Sequence, residues 1–393
     1  MPTVNRWLLP EGVHELLPQQ AACLEQVRRR LLDTYTSWGY ELIFPPFIEY
    51  LDSLLSGAGA DLDLQTFKLT DQLTGRLMGI RADITPQIAR LDAHQLKTEA
   101  PNRFCYLGTV LHTRPDGFSH SRTPLQVGAE LYGYPGIAGD IEVLRLMQET
   151  LRITGIEDYY IDLGHVAIYR ELCKQAQLDD EQENRLFDAM QRKALSEINA
   201  LLSDWQIHPT LHTMLSRLPE LHGGLEVLSE AEQVFEAAGD VVLSALDDLR
   251  TLATALSKQN LHVDLAELRG YSYHTGAVFS AYVPEHGQAI AQGGRYDHIG
   301  EAFGHPRPAT GFSTDLITLV SFMACDKRSQ KIFAPISDLA HQAEQVQQIQ
   351  QLREQGHIVV QSLPSQEASA QDMGCEQILV YQDGNWVIQA IDD

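Results

Sequence analysis

Asp83 and Thr85 stand two residues apart in Arg81-Ala82-Asp83-Ile84-Thr85-Pro86-Gln87. In an extended chain that spacing puts both side chains on one face. An ammonium group needs an anion and neutral acceptors, and this pair supplies both. The same residues also read as a strand end capping a helix, with Thr85 as N-cap and Pro86 at the first helical position. Gln126, Gly128 and Glu130 alternate in the same way, and the glycine leaves room for a ligand above the strand. Taken alone, Glu130 reads as a solvated strand residue. Arg269 can grip a carboxylate through two N–H groups, and a plainly exposed arginine fits as well. Gly293 and Gly294 permit close backbone approach just ahead of Tyr296.

These residues need a scaffold. From Pro18 to Trp38, Leu24, Val27, Leu31, Tyr35 and Trp38 recur at spacings of three and four, which predicts an amphipathic helix ending at Gly39. Tyr40 to Phe44 follows as a strand, and Pro45-Pro46 removes two backbone donors, so this strand belongs at an edge or an interface. Strand-like runs 67–69, 76–80, 103–111 and 125–132 suggest an antiparallel meander. A helix is expected over 141–154 and a strand over 159–163. Between 171 and 260 the pattern turns helical. Strands return at 276–283 and 289–292, then a loop and an apolar helix over 313–323. The tail reads strand 332–336, helix 338–354, and strands 357–361, 377–380 and 386–391. The expected domains are 1–172 with 261–326 as an α+β core, 173–260 as a helical insertion, and 327–393 as a small α/β domain.

The chain has 393 residues and a formal net charge of -24, a surface that repels phosphate backbones, so nucleic-acid binding is disfavoured. Apolar residues at 44% and charged ones at 21% are ordinary globular usage. Five scattered cysteines, none in a C-x-x-C pair, point to packing and away from a metal site. The first residues lack a basic stretch followed by an apolar run, and no long apolar segment occurs elsewhere, so a soluble cytoplasmic protein is expected.

Leu9-Pro10-Glu11-Gly12 with Leu17-Pro18, then Gly39-Tyr40 ahead of Pro45-Pro46, resembles the opening and motif 1 of histidyl-tRNA synthetases, which in that family build the dimer interface. The stretch Arg81 to Arg90 is similar to their loop that holds the α-amino group of histidine. Gln126 to Gly133 resembles the strand whose Gln and Glu face the amino acid. Arg269-Gly270-Tyr271-Ser272-Tyr273-His274 resembles the histidine-specific motif, with Ser272 where an aspartate is usual and His274 where a tyrosine reaches the imidazole. Gly293-Gly294-Arg295-Tyr296-Asp297 and Ala309-Thr310-Gly311-Phe312 follow in the family's order.

Two parts of that chemistry are replaced. Motif 2 reads Leu111-His112-Thr113-Arg114-Pro115, where Arg114 substitutes at most in part and the acidic partner is gone. In motif 3, Ile317 and Thr318 occupy the places of the usual Glu and Arg. The triphosphate and the charge developing at the α-phosphate need fixed cations.

With the amino-acid pocket kept, adenylation lost and the tail too short for a complete anticodon-binding domain, the chain resembles the histidyl-tRNA synthetase-like regulatory subunits of ATP phosphoribosyltransferase. The resemblance implies a class II synthetase-like antiparallel sheet flanked by helices. It implies a non-catalytic subunit, without cofactor or metal, that pairs with a short catalytic subunit, forms a homodimer and takes histidine as effector. Histidine would be held by Asp83, Thr85, Gln126, Glu130, Arg269, Tyr273 and Tyr296, with Tyr296 as a wall of the pocket. The alternative is a divergent histidyl-tRNA synthetase.

Overall fold

The computed structural model describes residues 7–57, 60–96, 98–115, 121–256, 260–271, 273–284, 286–323, 330–365 and 369–391. It divides into two compact units, Met1–Met323 and Ala324–Asp393.

In the first unit, helix Pro18–Ser37 buries Cys23, Val27, Leu31 and Tyr35, one stripe at intervals of four. Gly39, at φ +84, takes the left-handed conformation that lets the chain leave the helix. Strand Glu41–Leu42 then pairs in parallel with Phe104 and Cys105 at the end of a nine-stranded sheet, so the proline-flanked strand does lie at an edge.

Across that sheet the strands run Glu41–Leu42, Asn102–Thr109, Leu125–Tyr132, Ala309–Asp315, Ala289–Arg295, Ala277–Tyr282, Tyr160–His165, Asn260–Asp264 and His222–Gly223. The centre is antiparallel. Parallel pairs occur at Glu41–Leu42 with Asn102–Thr109 and at Tyr160–His165 with Asn260–Asp264, so the sheet is mixed where an antiparallel one was expected. Helix Ile137–Ile153 buries Val143, Leu144, Met147 and Leu151. Six α-helices and one 3-10 turn between Val166 and Ala255 fill the region read as helical.

The expected meander is split. Phe67–Thr70 and Leu77–Ile80 form a separate three-stranded sheet with Ile48–Tyr50, while Asn102–Thr109 and Leu125–Tyr132 belong to the large sheet. Helix Thr85–Arg90 and the π-turn Leu91–Leu96 separate the two hairpins. The apolar helix expected over 313–323 is shorter, Leu316–Ser321, and Ala309–Asp315 is a central strand. That strand is buried on both faces, so its sequence shows no alternation. Asp315 ends it by capping the helix, accepting from the N–H groups of Ile317 and Thr318.

In the second unit, Lys331–Ala334 lies between parallel neighbours Ile358–Gln361 and Gln377–Gln382, with Asn385–Ala390 antiparallel at the edge. Helix Gln342–Glu354 contributes Ile349 and Leu352 to a core with Ile332, Ala334, Val359 and Leu379. This helix starts later than its sequence suggests, because Asp338 accepts from both the backbone and the ring of His341 and holds a turn there.

Candidate functional site

Glu130 is 1% exposed at the centre of the large sheet, not solvated. Its Oε1 accepts from the Thr85 hydroxyl at 2.9 Å and the Tyr106 hydroxyl at 3.0 Å, and its Oε2 accepts from the Tyr296 hydroxyl. Burial pushes its pKa up to about 8; the three hydroxyls pull the other way, and the nearby Asp83 charge adds to the rise.

Thr85 joins two acids. Its hydroxyl serves Glu130, while its backbone N–H donates to Asp83 Oδ1 at 3.1 Å. Gln126 completes the link, donating through Nε2 to Asp83 Oδ1 at 2.7 Å and accepting from the Ile84 N–H at 3.0 Å. Asp83, Thr85, Gln126, Glu130 and Tyr296 are therefore one hydrogen-bonded cluster. Thr85 opens helix Thr85–Arg90 and Ile84 is its N-cap, so the capping role considered for Thr85 is not what the structure has. Pro86 does sit in the first turn.

The floor of the cluster is glycine. Gly311 is the register partner of Glu130, and a methyl group on it would lie 1.5 Å from Glu130 Oε2. Gly128 was expected to leave room for a ligand. That room is taken by Tyr106, whose hydroxyl would lie 2.5 Å from a Cβ at this position. Tyr106 is the register partner of Gly128 and fully buried. Its part in the site was not apparent from sequence, because the pairing that brings it there joins residues 22 positions apart.

Tyr296 is positioned from its neighbour. Arg295 donates to Asp140 at 2.6 Å, to Asp297 at 3.2 Å and to the carbonyls of Tyr134 and Gly136, pinning the end of its strand. Arg269 and Tyr273 are both exposed. Arg269 lies 3.6 Å from Glu267 and over the Tyr282 ring. Between the two groups stands His274, buried, its ring 4.3 Å from that of Tyr273 and 6.3 Å from that of Tyr296. Ser272 lies outside the described residues.

Thr318, read from the sequence as standing where the synthetases have the motif 3 arginine, donates through its hydroxyl to Asp315 at 2.7 Å. His112 Nε2 contacts the Ala82 carbonyl at 2.9 Å, and Arg114 is exposed. Arg81, two residues before Asp83, is directed away to the carbonyls of Thr109 and Pro45. Among the described residues no arginine is bonded to Asp83 or Glu130, so the two neighbouring acids keep acceptor capacity for the N–H groups of a small ligand.

The Histidyl-tRNA synthetase family matches residues 12–319, and the ATP phosphoribosyltransferase subunit HisZ C-terminal domain matches 329–389. The ATP phosphoribosyltransferase regulatory subunit of Thioalkalivibrio sulfidiphilus is 54% identical over 381 residues, covering 95% of this chain and 96% of that protein. The protein of the same name from Alkalilimnicola ehrlichii is 53% identical over 395 residues, 98% of each. A crystal structure of an ATP phosphoribosyltransferase regulatory subunit/histidyl-tRNA synthetase from Bacillus halodurans superposes with a TM-score of 0.83 at 26% identity, covering 95% of this chain and 97% of that one. Histidyl-tRNA synthetase from Nostoc shares the fold at a TM-score of 0.77 and 18% identity, covering 98% and 97%.

Proposed function

The chain belongs to the ATP phosphoribosyltransferase regulatory subunit family, and from that premise we propose that it is the non-catalytic subunit of such an enzyme in the first step of histidine biosynthesis. It pairs with a short catalytic subunit in the cytoplasm, activates it and carries feedback inhibition by histidine. No helix among the described residues is long and apolar enough to cross a membrane.

The observation that carries this reading is the asymmetry of the site. The amino-acid side is intact, with Glu130 and Asp83 joined through Thr85 and Gln126. On the nucleotide side a threonine bonded to its own helix cap stands in the arginine's place. Such a site binds an amino acid without activating it. The acids face the ammonium and imidazole of histidine, and Gln126 orients the amino end.

A homodimer is supported by the edge strand and the segment after it, where Leu42, Phe44, Phe47 and Ile48 are exposed. Two copies joined there would form the core to which the catalytic subunits attach.

The test mixes the protein with the short catalytic subunit. A hetero-oligomer containing a dimer of this chain, a raised catalytic rate and inhibition by histidine are expected. Glu130→Gln should weaken histidine binding roughly 10–150-fold, the equivalent of about 1.5–3 kcal/mol for a hydrogen bond to a charged group, while assembly and activation survive. If the variant complex is inhibited as strongly as the parent, the effector binds elsewhere; if the variant does not assemble, Glu130 has a structural role only.

A further inference from the structure

Tyr271 sends its side chain between two helices of the helical region. Its ring stands edge-on to Tyr169 at 5.3 Å and 74°, lies 5.3 Å from that of Phe187 at 30°, and has the Arg170 guanidinium 4.7 Å from its centre. Its hydroxyl donates to the Glu183 carboxylate. Tyr169 and Arg170 belong to helix Val166–Gln175, Glu183 and Phe187 to helix Asp180–Gln191. Glu183 and Phe187 are one turn apart, so a single helical face offers an acceptor for the hydroxyl and a surface for the ring. A hydroxyl bonded to a carboxylate makes one of the stronger hydrogen bonds open to a neutral side chain.

The backbone around Tyr271 is tied to the first of these helices. Arg170 donates to the carbonyls of Tyr271 at 2.8 Å and of His274 at 3.1 Å, and the Val166 N–H donates to the Gly276 carbonyl at 3.1 Å. Gly270, at φ +64, turns the chain, and the N–H groups of Tyr273 and His274 return to its carbonyl at 2.9 and 2.8 Å. A Cβ on Gly270 would meet His274 Nδ1 at 2.5 Å. A turn packed this closely passes a displacement on instead of absorbing it.

The far end of the same stretch reaches the acid cluster. The Thr275 N–H donates to the Arg295 carbonyl at 2.7 Å, and the Thr275 hydroxyl accepts from the Asp297 N–H at 3.0 Å. Thr275 thus holds the residues on both sides of Tyr296, whose hydroxyl donates to Glu130 Oε2. Hydrogen bonds and short backbone steps therefore lead from Glu130 through Tyr296, Thr275 and Tyr271 to Glu183. A ligand N–H that takes Glu130 Oε2 competes with the Tyr296 hydroxyl, and the displacement has this route to follow.

We propose that Tyr271 is a positioning residue that couples the acid cluster to helix Asp180–Gln191, its hydroxyl bond to Glu183 being the last link. This rests on the pocket reading above. Histidine in the cluster then favours the closed helix over its locally opened form. Because the helix is closed nearly all the time, the coupling alters the opening equilibrium and barely touches the measured histidine affinity. A tyrosine that only filled space would leave that equilibrium indifferent to histidine.

The experiment combines calorimetry with amide hydrogen exchange on the full-length protein, without and with saturating histidine, in the parent, Tyr271→Phe, Glu183→Gln and Glu130→Gln. In the parent, histidine should slow exchange across residues 180–191 by about fivefold or more, the lower end of usual couplings between sites. Tyr271→Phe keeps the ring and Glu183→Gln keeps the helix. Both should bind histidine with an affinity near the parent's and lose the slowing at 180–191. If the parent binds histidine and 180–191 does not respond, or responds only as part of a slowing uniform over the chain, the coupling is overturned, and no variant is needed to show it. A folded Tyr271→Phe that retains the parental slowing overturns the role of the hydroxyl. One that no longer binds histidine overturns it too, since the hydroxyl would then serve the ligand directly. Histidine binding unaffected by Glu130→Gln removes the pocket itself, a different failure.

Discussion

Glu130 and Gly311 face each other across the middle of the large sheet, and the carboxylate occupies the space a side chain at 311 would need. The fold accommodates a buried acid at its centre only because its neighbour has no Cβ. Gly311→Ala should therefore destabilise the protein by about 1–3 kcal/mol, the range for overpacking a filled interior. Shortening the acid should relieve the clash, so Gly311→Ala combined with Glu130→Ala should be more stable than the sum of the two single changes implies. Denaturant unfolding of the four proteins measures this coupling; strict additivity would show that the carboxylate moves aside freely.

Glu130 should also leave a signature in the pH dependence of stability. Its pKa is raised from 4.5 to about 8 by burial. Between those values the folded chain holds a proton at this site that the unfolded chain has released. Stability therefore falls as pH rises through the window, by up to about 1.4 kcal/mol per pH unit, and the contribution is flat below and above it. Glu130→Gln removes the titration. Relative to the parent, the variant should gain stability by a few kcal/mol between pH 5 and pH 8. Urea midpoints at both values check it, and parallel curves would mean that the carboxylate is ionised throughout. A gain in stability with a loss of histidine binding would mark Glu130 as a residue kept for its ligand.

Much of the site was legible in sequence because period-two spacing in strands survives any detail of packing. Gln126 and Glu130 lie on one face as their spacing requires, and Asp83 and Thr85 reach the same cluster although helix Thr85–Arg90 begins between them. Tyr106 was hidden, since nothing local marks it as the partner of Gly128. Strand Ala309–Asp315 was hidden for another reason: burial on both faces erases alternation, and its small residues carry little strand preference. Arg269 and Tyr273 were placed with the pocket by motif order alone. Their loop turns both outward and His274 inward, an orientation set by Gly270 and Arg170 rather than by spacing.

The last prediction concerns Thr318, which we read as standing in the place of the synthetases' motif 3 arginine. Its hydroxyl and N–H both donate to Asp315, which also accepts from Leu125 and Ile317, so the position belongs to a helix cap joined to the neighbouring strand. Thr318→Arg would remove one of these bonds, at a cost of about 1 kcal/mol, and would restore one cation. It should not restore adenylation. Fixed donors act together on charge developing at the α-phosphate, and the loss of even one such group typically lowers a rate by about 10²–10³-fold. Here motif 2 is altered as well: His112 lies against the Ala82 carbonyl, and the Thr113 hydroxyl donates to the Leu64 carbonyl at 2.6 Å. Histidine-dependent exchange of pyrophosphate into ATP should therefore stay at the blank in both the parent and Thr318→Arg, although histidine still binds each in calorimetry. ATP formation above the blank in the parent would make the chain an enzyme in its own right. Formation only in the variant would show that one arginine was all that separated this site from a synthetase, and that the motif 2 residues are not limiting.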